Sequence, residues 1–310
     1  MLPNRKQIDT QAFSLMALLC LIWAFQQIAI KAVAADMAPT FQIALRSFIG
    51  AALVAFVMWR QRIPLALGDG TWKAGLVVGF LFAVEFLLLG EGLRYTTASH
   101  MAVFLYTAPF FAALGLHFTL PEERLAPLQW FGIFAAFVGV AISFLAPGEN
   151  QAENASNMLL GDFLGLLAGA AWGLTTVVIR NTGLSNTPAS KTLLYQLIGA
   201  FALLLVAAIV SGQTEVNHTP MVWGSVLIQG VVISFFSYLC WFWLLRKYLA
   251  SRLGVFSFMT PMFGIVLGVV LLNEPLDTSF VVGAILVTAG IVLVSGYGWI
   301  KAVLRRKGAG

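Results

Sequence analysis

Ten long apolar runs, joined by short polar connections, dominate the pattern of this 310-residue chain. They cover residues 13–34, 40–59, 72–93, 98–119, 127–146, 159–179, 188–211, 221–245, 252–272 and 279–300. An α-helix of about 20 apolar residues crosses the core of a bilayer. The runs are continuous rather than alternating, which disfavours a membrane β-barrel. The pattern therefore predicts an all-α membrane protein with ten transmembrane helices.

The second half of the sequence repeats the first half. Trp23 returns as Trp172 and Lys31 as Arg180, and further matched pairs follow at offsets of 149 to 152 residues: Pro39 and Pro188, Pro109 and Pro261, Glu122 and Glu274. We therefore expect a first repeat at 1–147, an outer linker at 148–158, a second repeat at 159–300 and a basic cytoplasmic tail at 301–310. Because five spans is an odd number, the second repeat is predicted to lie inverted relative to the first, as in many transporters.

Charge and composition support a membrane location and set the orientation. Hydrophobic residues make up 60% of the chain and charged residues 10%, whereas about a quarter of a soluble domain is charged. If both termini are cytoplasmic, the inner segments hold fifteen lysines and arginines and the outer ones hold two, which satisfies the positive-inside rule. The net charge of +5 then reflects topology. We expect the lipid bilayer of the inner (plasma) membrane as the partner, and no nucleic acid.

The sequence offers little that would suit an enzyme. Cys20 and Cys240 lie in apolar runs and are predicted to be packing residues. His100, His117 and His218 are scattered without the spacing of a metal site, and no nucleophile and base stand together. We therefore expect no catalysis, no metal and no cofactor.

Polar side chains within the spans are the candidates for a substrate site. An ionised residue at the centre of a transmembrane helix costs about 2.5–3.5 kcal/mol on insertion scales, so it seldom faces lipid. The candidate substrate-binding residues are Trp23, Gln26, Gln27, Arg46, Glu85, Tyr106, Trp172, Thr176, Tyr195 and Tyr238. Lys31 and Arg180 continue the same helix faces near the membrane surfaces, and we expect them to reach lipid head groups.

Arg46 and Glu85 are the charged residues that lie well inside spans. We expect them to line a hydrated cavity or to pair with each other. An apolar setting disfavours a charged carboxylate, so Glu85 is predicted to take up a proton. It would then couple transport to proton flow or meet a cationic amine, and the sequence leaves both roles open.

Two features of the spans bear on movement. Pro109 and Pro261 lie within the fourth and ninth spans, where each removes a backbone hydrogen bond and bends its helix; they are predicted to shape gates or static kinks. Glycines recur at every fourth position from Gly161 to Gly173 in the sixth span. Such a face allows close helix packing, with a sliding contact as the alternative.

Several phrases together resemble a known transporter family. Ile22-Trp23-Ala24, Tyr95-Thr96-Thr97-Ala98-Ser99, Gly161-Asp162 and Ala171-Trp172-Gly173 occur in an order, with a duplication, that is similar to the ten-helix EamA branch of the drug/metabolite transporter (DMT) superfamily. The resemblance implies a secondary carrier of the inner membrane, commonly an exporter of amino acids or related metabolites. It also implies alternating access around a cavity between the repeats, with the fifth and tenth spans packed at the periphery.

Two other functions remain open at this stage. An exporter of cationic amines or drugs would use Glu85 and the aromatic walls. A membrane-embedded, lipid-handling enzyme is a more remote alternative. The substrate, the direction of transport, proton coupling and assembly as a homodimer are not decided by the sequence.

Overall fold

The computed structural model describes residues 9–64, 70–121, 124–145, 155–247, 256–257, 259–276 and 278–307. Over these ranges the chain is helical apart from short turns and one isolated bridge between Met37 and Val216. Seven of the described helices are long and apolar enough to cross a membrane, and three shorter apolar helices accompany them. The prediction of an all-helical, multi-pass membrane protein is thus confirmed, whereas the count of ten spans stays a prediction.

The helices follow the predicted runs closely. Their bounds are α1 Thr10–Ala32, α2 Pro39–Arg60, α3 Trp72–Gly92, α4 Ala98–Leu105, α5 Ala108–Thr119, α6 Pro127–Leu145, α7 Ala155–Asn181, α8 Ala189–Val210, α9 Pro220–Ile228, α10 Tyr238–Lys247, α11 Met259–Leu272 and α12 Thr278–Lys307. A π-helical segment, Gln229–Ser237, joins α9 to α10, so residues 220–247 form one continuous rod that we call the 220–247 helix.

Local signals in the sequence explain where helices begin. The side chains of Asp9, Thr97 and Thr219 each accept a hydrogen bond from a backbone N–H in the first turn of the following helix. These are the residue types that stabilise helix N-termini. Proline stands in the first turn of α2 and α9, where its missing N–H removes no helical hydrogen bond.

The proline in the fourth span interrupts the helix rather than bending it. α4 ends at Leu105, Tyr106 and Thr107 form a turn, and α5 begins at Ala108 with Pro109 in its first turn. Pro261 lies in the first turn of α11, directly after a stretch outside the described residues. The short helix α4 is therefore separated from α5 by two non-helical residues that carry the candidate Tyr106.

The ends of α2 and α8 show that the two halves fold alike. Arg62 and Gly212 both have left-handed backbone, with φ of 54° and 68°. In each case the backbone N–H of the third residue after the helix donates to a carbonyl oxygen in the last turn, Ile63 to Met58 and Gln213 to Ala208. The duplication read from the sequence is therefore also present in the backbone conformation.

Glycines set the contacts between the two halves. α3 and α8 run parallel and touch at Gly79 and Gly199, where a Cβ on Gly199 would lie 2.5 Å from the carbonyl oxygen of Gly79. α6 and α12 run antiparallel, with Gly139 against Gly283 and Gly132 against Gly290. In lipid, the hydrophobic effect does not drive helices together, because acyl chains are as apolar as the side chains. Helices associate instead through close van der Waals packing at small residues such as these.

This contact gives a first prediction. Gly199→Val should lower the free energy of unfolding by about 1–3 kcal/mol, because the added methyl groups have no room and must push α3 and α8 apart. Thermal unfolding of the purified protein in detergent measures the effect. Gly224→Ala is the matched control, since a Cβ there meets nothing within 4 Å. Equal unfolding temperatures for Gly199→Val and the parent protein would contradict the tight α3–α8 crossing.

Candidate functional site

The centre of the candidate site is a buried arginine beside a buried carboxylate. Arg46 of α2 is 1% exposed and Glu85 of α3 is 4% exposed. The Arg46 guanidinium lies 4.5 Å from the centroid of the Phe86 ring, so the cation rests on an aromatic face. Opposite charges buried in the same apolar region attract each other. The salt bridges seen in the described part of the chain nevertheless do not include one between these two side chains.

Aromatic side chains from both halves surround this pair. Phe82 of α3 packs edge-on against Phe86 at 4.7 Å and against Tyr238 of α10 at 6.4 Å. Tyr106 stands edge-on to Trp172 of α7 at 5.2 Å. Phe82 and Glu85 lie three residues apart on one face of α3, so Tyr238 lies on the same side of that helix as Glu85. The site therefore combines one cation and one carboxylate with aromatic walls.

The candidates on α1 face the 220–247 helix. Trp23 donates through Nε1 to the hydroxyl of Ser237 at 3.0 Å and packs edge-on against Trp241 at 5.6 Å. Gln26 and Gln27 are both buried. Ser237 belongs to the π-helical segment, a rare conformation that is frequent at functional sites.

Tyr195 lies away from this centre, whereas the hydroxyl of Thr176 bonds within its own helix. The ring of Tyr195 packs against Gly75, ten residues before Glu85 in α3, or about 15 Å along a helix. Thr176 bonds back to the carbonyl oxygen of Trp172 in its own helix at 3.3 Å. The structure therefore does not bring Tyr195 to the charged pair. Its selection from the sequence rested on its repeat position, which matches that of Arg46.

Within the described ranges, several buried polar atoms have no hydrogen-bond partner. They are Oε1 of Gln27, Nε and Nη1 of Arg46, Oε2 of Glu85, the hydroxyl of Tyr195, Oε1 of Gln213, Oε1 of Gln229 and Oγ1 of Thr260. A buried polar group without a partner costs about 1–3 kcal/mol. Arg46 and Glu85 are thus able to bind a ligand that supplies a carboxylate or a donor group.

Sequence reasoning did not select the glutamine pair that lies one turn from Arg46. Gln229 donates through Nε2 to Oε1 of Gln42 at 3.3 Å and to the hydroxyl of Ser225 at 3.0 Å. Gln42 in turn donates to the carbonyl oxygens of Ile30 and Met37. Both glutamines are 0% exposed. Their polarity within apolar runs was the available signal.

A second polar cluster, also not selected from the sequence, joins the two halves near the start of α4. Asp162 of α7 accepts from the Thr96 hydroxyl and lies 2.8 Å from Nδ1 of His100. Glu274, which follows α11, accepts from the backbone N–H groups of Ala98 and Ser99 at 2.7 and 3.0 Å. The repeated Glu274 was a signal for this contact, whereas its repeat partner Glu122 lies outside the described residues.

Lys31 and Arg180, which were both predicted to reach lipid head groups, have different surroundings. Lys31 donates through Nζ to the carbonyl oxygens of Leu93 and Thr96 at 2.5 and 2.8 Å. The expectation that Lys31 reaches lipid head groups is therefore wrong: a favourable contact at the end of α3 holds it instead. Arg180 is exposed.

The Glu274 contact gives a second prediction. Glu274→Ala should lower the free energy of unfolding by about 3 kcal/mol, because it leaves the first N–H groups of α4 without an acceptor and removes a charged hydrogen bond to Ser99. Thermal unfolding in detergent checks this loss. Glu215→Ala, at an exposed loop position, is the control and should change little. Equal losses for the two variants would rule out a capping role for Glu274.

Comparison with known proteins identifies the family. The model of the EamA-like transporter family matches residues 10–145 and again 159–296. An uncharacterized protein, PA1977, of Pseudomonas aeruginosa is 30% identical over 298 residues, which cover 94% of this chain and 96% of that protein. A "Probable amino-acid metabolite efflux pump" of Escherichia coli (strain K12) is 27% identical, over 93% of this chain and 96% of its own.

Two further proteins also match this chain over most of its length. The uncharacterized transporter YoaV of Bacillus subtilis (strain 168) is 24% identical over 88% of this chain and 92% of its own. A solved crystal structure superposes with a TM-score of 0.66 at 18% identity, covering 92% of this chain and 96% of the other, and so shows a shared fold. The sequence relatives of this chain are transporters of the drug/metabolite superfamily. With two matched repeats across nearly its whole length, the chain belongs to the EamA-like transporter family.

Proposed function

We propose that the protein is a secondary active transporter that exports amino acids or related metabolites across the inner membrane. The observation that carries this proposal is the buried pair of Arg46 and Glu85, which lies inside apolar helices with unpartnered atoms on both side chains. Ionisable residues at this depth mark substrate or ion pathways. A structural role alone would favour a direct ion pair, because an unpaired buried charge is costly.

The proposed architecture is ten spans in two inverted five-helix repeats with both termini in the cytoplasm. The antiparallel α6–α12 pair and the matching ends of α2 and α8 support this arrangement. The excess of lysine and arginine on one side supports the orientation. Inverted repeats give two near-equivalent packings, each open to one side, and alternating access would use both.

The chemistry of the pair favours a zwitterion as the substrate. Arg46 would bind a carboxylate through parallel N–H bonds, and Glu85 with the aromatic faces of Phe82 and Tyr238 would meet an ammonium. A cationic amine or drug is the second candidate, favoured by Glu85 and the same aromatic walls. That substrate would leave the donors of Arg46 without a partner, so we prefer the amino acid. Glu85 is also our candidate for proton coupling.

Transport into proteoliposomes tests the proposed function. The panel contains alanine, leucine, phenylalanine and lysine, together with phenethylamine and a quaternary ammonium dye. We expect uptake of at least one amino acid with an apolar side chain, and competition by that amino acid for its own labelled form. Uptake of the amines without any amino acid would establish the second candidate instead.

A further inference from the structure

Four of the buried side chains with unpartnered atoms come from four neighbouring elements of both repeats. They are Gln27 of α1, Arg46 of α2, Glu85 of α3 and Gln229 of the π-helical segment, and each is between 0% and 4% exposed. Together they present five unpartnered atoms. Buried polar atoms are normally hydrogen-bonded. A group of them at one place therefore indicates a ligand that completes their bonding.

Two hydrogen bonds fix the register between α1 and the 220–247 helix. The hydroxyl of Ser225 donates to the carbonyl oxygen of Ala29 at 3.1 Å. The indole of Trp23 donates to the hydroxyl of Ser237 at 3.0 Å. Since the earlier residue of one helix pairs with the later residue of the other, the two helices run antiparallel.

Gln27 and Gln229 lie between these two bonds on the facing sides of the helices. Gln27 follows Trp23 by four residues, and Gln229 follows Ser225 by four. Residues four apart share a helix face, so both glutamines face the contact between the helices. Their unpartnered Oε1 atoms are therefore at the same depth in the membrane.

The charged residues lie about one helical turn from this contact. Gln229 donates to Gln42 at 3.3 Å, and Gln42 precedes Arg46 by four residues on the same face of α2, a separation of about 6 Å along the helix. Glu85 shares a face of α3 with Phe82, three residues earlier. Phe82 packs against Phe86, whose ring carries the Arg46 guanidinium at 4.5 Å, and against Tyr238.

We propose that these atoms form a subsite for the charged end of a primary α-amino acid, a refinement that rests on the proposed function. The substrate carboxylate lies against the guanidinium of Arg46, whose Nε and Nη1 carry N–H groups without a partner. Oε1 of Gln27, Oε1 of Gln229 and Oε2 of Glu85 accept the three N–H bonds of the ammonium. The unpartnered N–H groups of Arg46 suit an anionic carboxylate, and the three unpartnered acceptors equal in number the N–H bonds of an –NH3+ group.

The subsite makes Gln27 and Gln229 specificity-determining residues. A site that hydrogen-bonds a substrate N–H discriminates strongly against an analogue that lacks it, because its own buried groups are left unpaired. An N-methylated amino acid loses one N–H bond, and its N-trimethyl derivative loses all three. The expected preference for the primary amino acid is about tenfold over the first and about a thousandfold over the second.

Inhibition of transport by these analogues tests the assignment. In proteoliposomes, the amino acid of the panel that is taken up fastest competes with its own N-methyl, N-trimethyl and des-amino derivatives. Gln229→Leu should lower the preference for the primary amino acid over the N-methyl form from about tenfold to about twofold. Gln27→Met should have the same effect, which keeps the test available if one variant folds poorly.

Gln213→Leu is the matched control. Gln213 also has a buried, unpartnered Oε1. Its amide N–H donates to Glu91 over a distance of 2.9 Å, at a place outside the proposed subsite. It should keep the parent preference. A purely structural role of Gln229 would weaken all ligands equally and leave the preference unchanged.

The outcomes separate the two proposals. If the parent protein takes up amino acids but binds the N-trimethyl form as well, or if both glutamine variants keep the parent preference, the subsite is wrong and amino-acid transport stands. If the parent protein transports no amino acid of the panel, the proposed function itself is overturned together with the subsite.

Discussion

Arg46→Gln is expected to slow amino-acid transport by about a hundredfold, because it removes the cation that would bind the substrate carboxylate. Truncating one partner of a buried, hydrogen-bonded charge pair costs about 3 kcal/mol, which corresponds to that factor. The guanidinium lies buried on the Phe86 ring. A charged residue at the protein surface therefore cannot take over its contact with the substrate. Initial rates of labelled substrate uptake in proteoliposomes measure the loss.

Arg94→Gln is the control for this experiment. Arg94 forms an ion pair with Glu91 at 2.6 Å, but its side chain is 43% exposed, and exposed pairs contribute little. It should transport at close to the parent rate. Arg46→Lys should recover only part of the activity, because an ammonium lacks the planar pair of donors that a carboxylate prefers. An Arg46→Gln protein that transports normally would remove Arg46 from the substrate site.

Glu85→Gln is expected to abolish accumulation driven by a proton gradient while exchange of substrate across the membrane continues. The glutamine keeps the size and a hydrogen-bond acceptor but cannot take up a proton. Buried carboxylates of this kind act as proton carriers in many transporters. The measurement compares gradient-driven uptake with exchange between labelled and unlabelled substrate, in the same liposomes.

Glu91→Gln provides the matched carboxylate control. Glu91 lies in the same helix as Glu85, but it accepts hydrogen bonds from Thr40, Arg94 and Gln213 at the end of α3. Gradient-driven uptake should survive this change. If Glu85→Gln still accumulates substrate in response to the gradient, Glu85 does not carry the coupling proton.

Much of the fold was predictable because its signals are local or periodic. Apolar runs mark the helices, and the pairing of Trp23 with Trp172 and of Pro109 with Pro261 marks the duplication. Arg46 and Glu85 also stand out in the sequence, because burying an ion is costly and both residues lie well inside apolar runs. Two helices begin directly after Thr97 and Thr219, whose side chains accept hydrogen bonds from backbone N–H groups of the first turn.

The contacts between distant segments could not be read from the sequence. Repeat position suggested Tyr195 because it matches Arg46, yet its ring packs against Gly75. Gln229 is one of several polar residues of the eighth span, and only its bond to Gln42 places it near Arg46. A pairing across 187 residues depends on helix register and on the π-helical segment. Neither of these leaves a periodic signal.

Opposite orientation of the two repeats is tested most directly by thiol labelling at matched positions. Gln61 follows α2 and Ser211 follows α8, and both are exposed at equivalent helix ends. Single cysteines are introduced at these positions after Cys20 and Cys240 have been replaced by alanine, and intact cells are treated with a membrane-impermeant maleimide. We predict that Ser211→Cys reacts in intact cells and that Gln61→Cys reacts only after the membrane is opened. Reaction of both cysteines from the same side would contradict two inverted repeats around a shared substrate site.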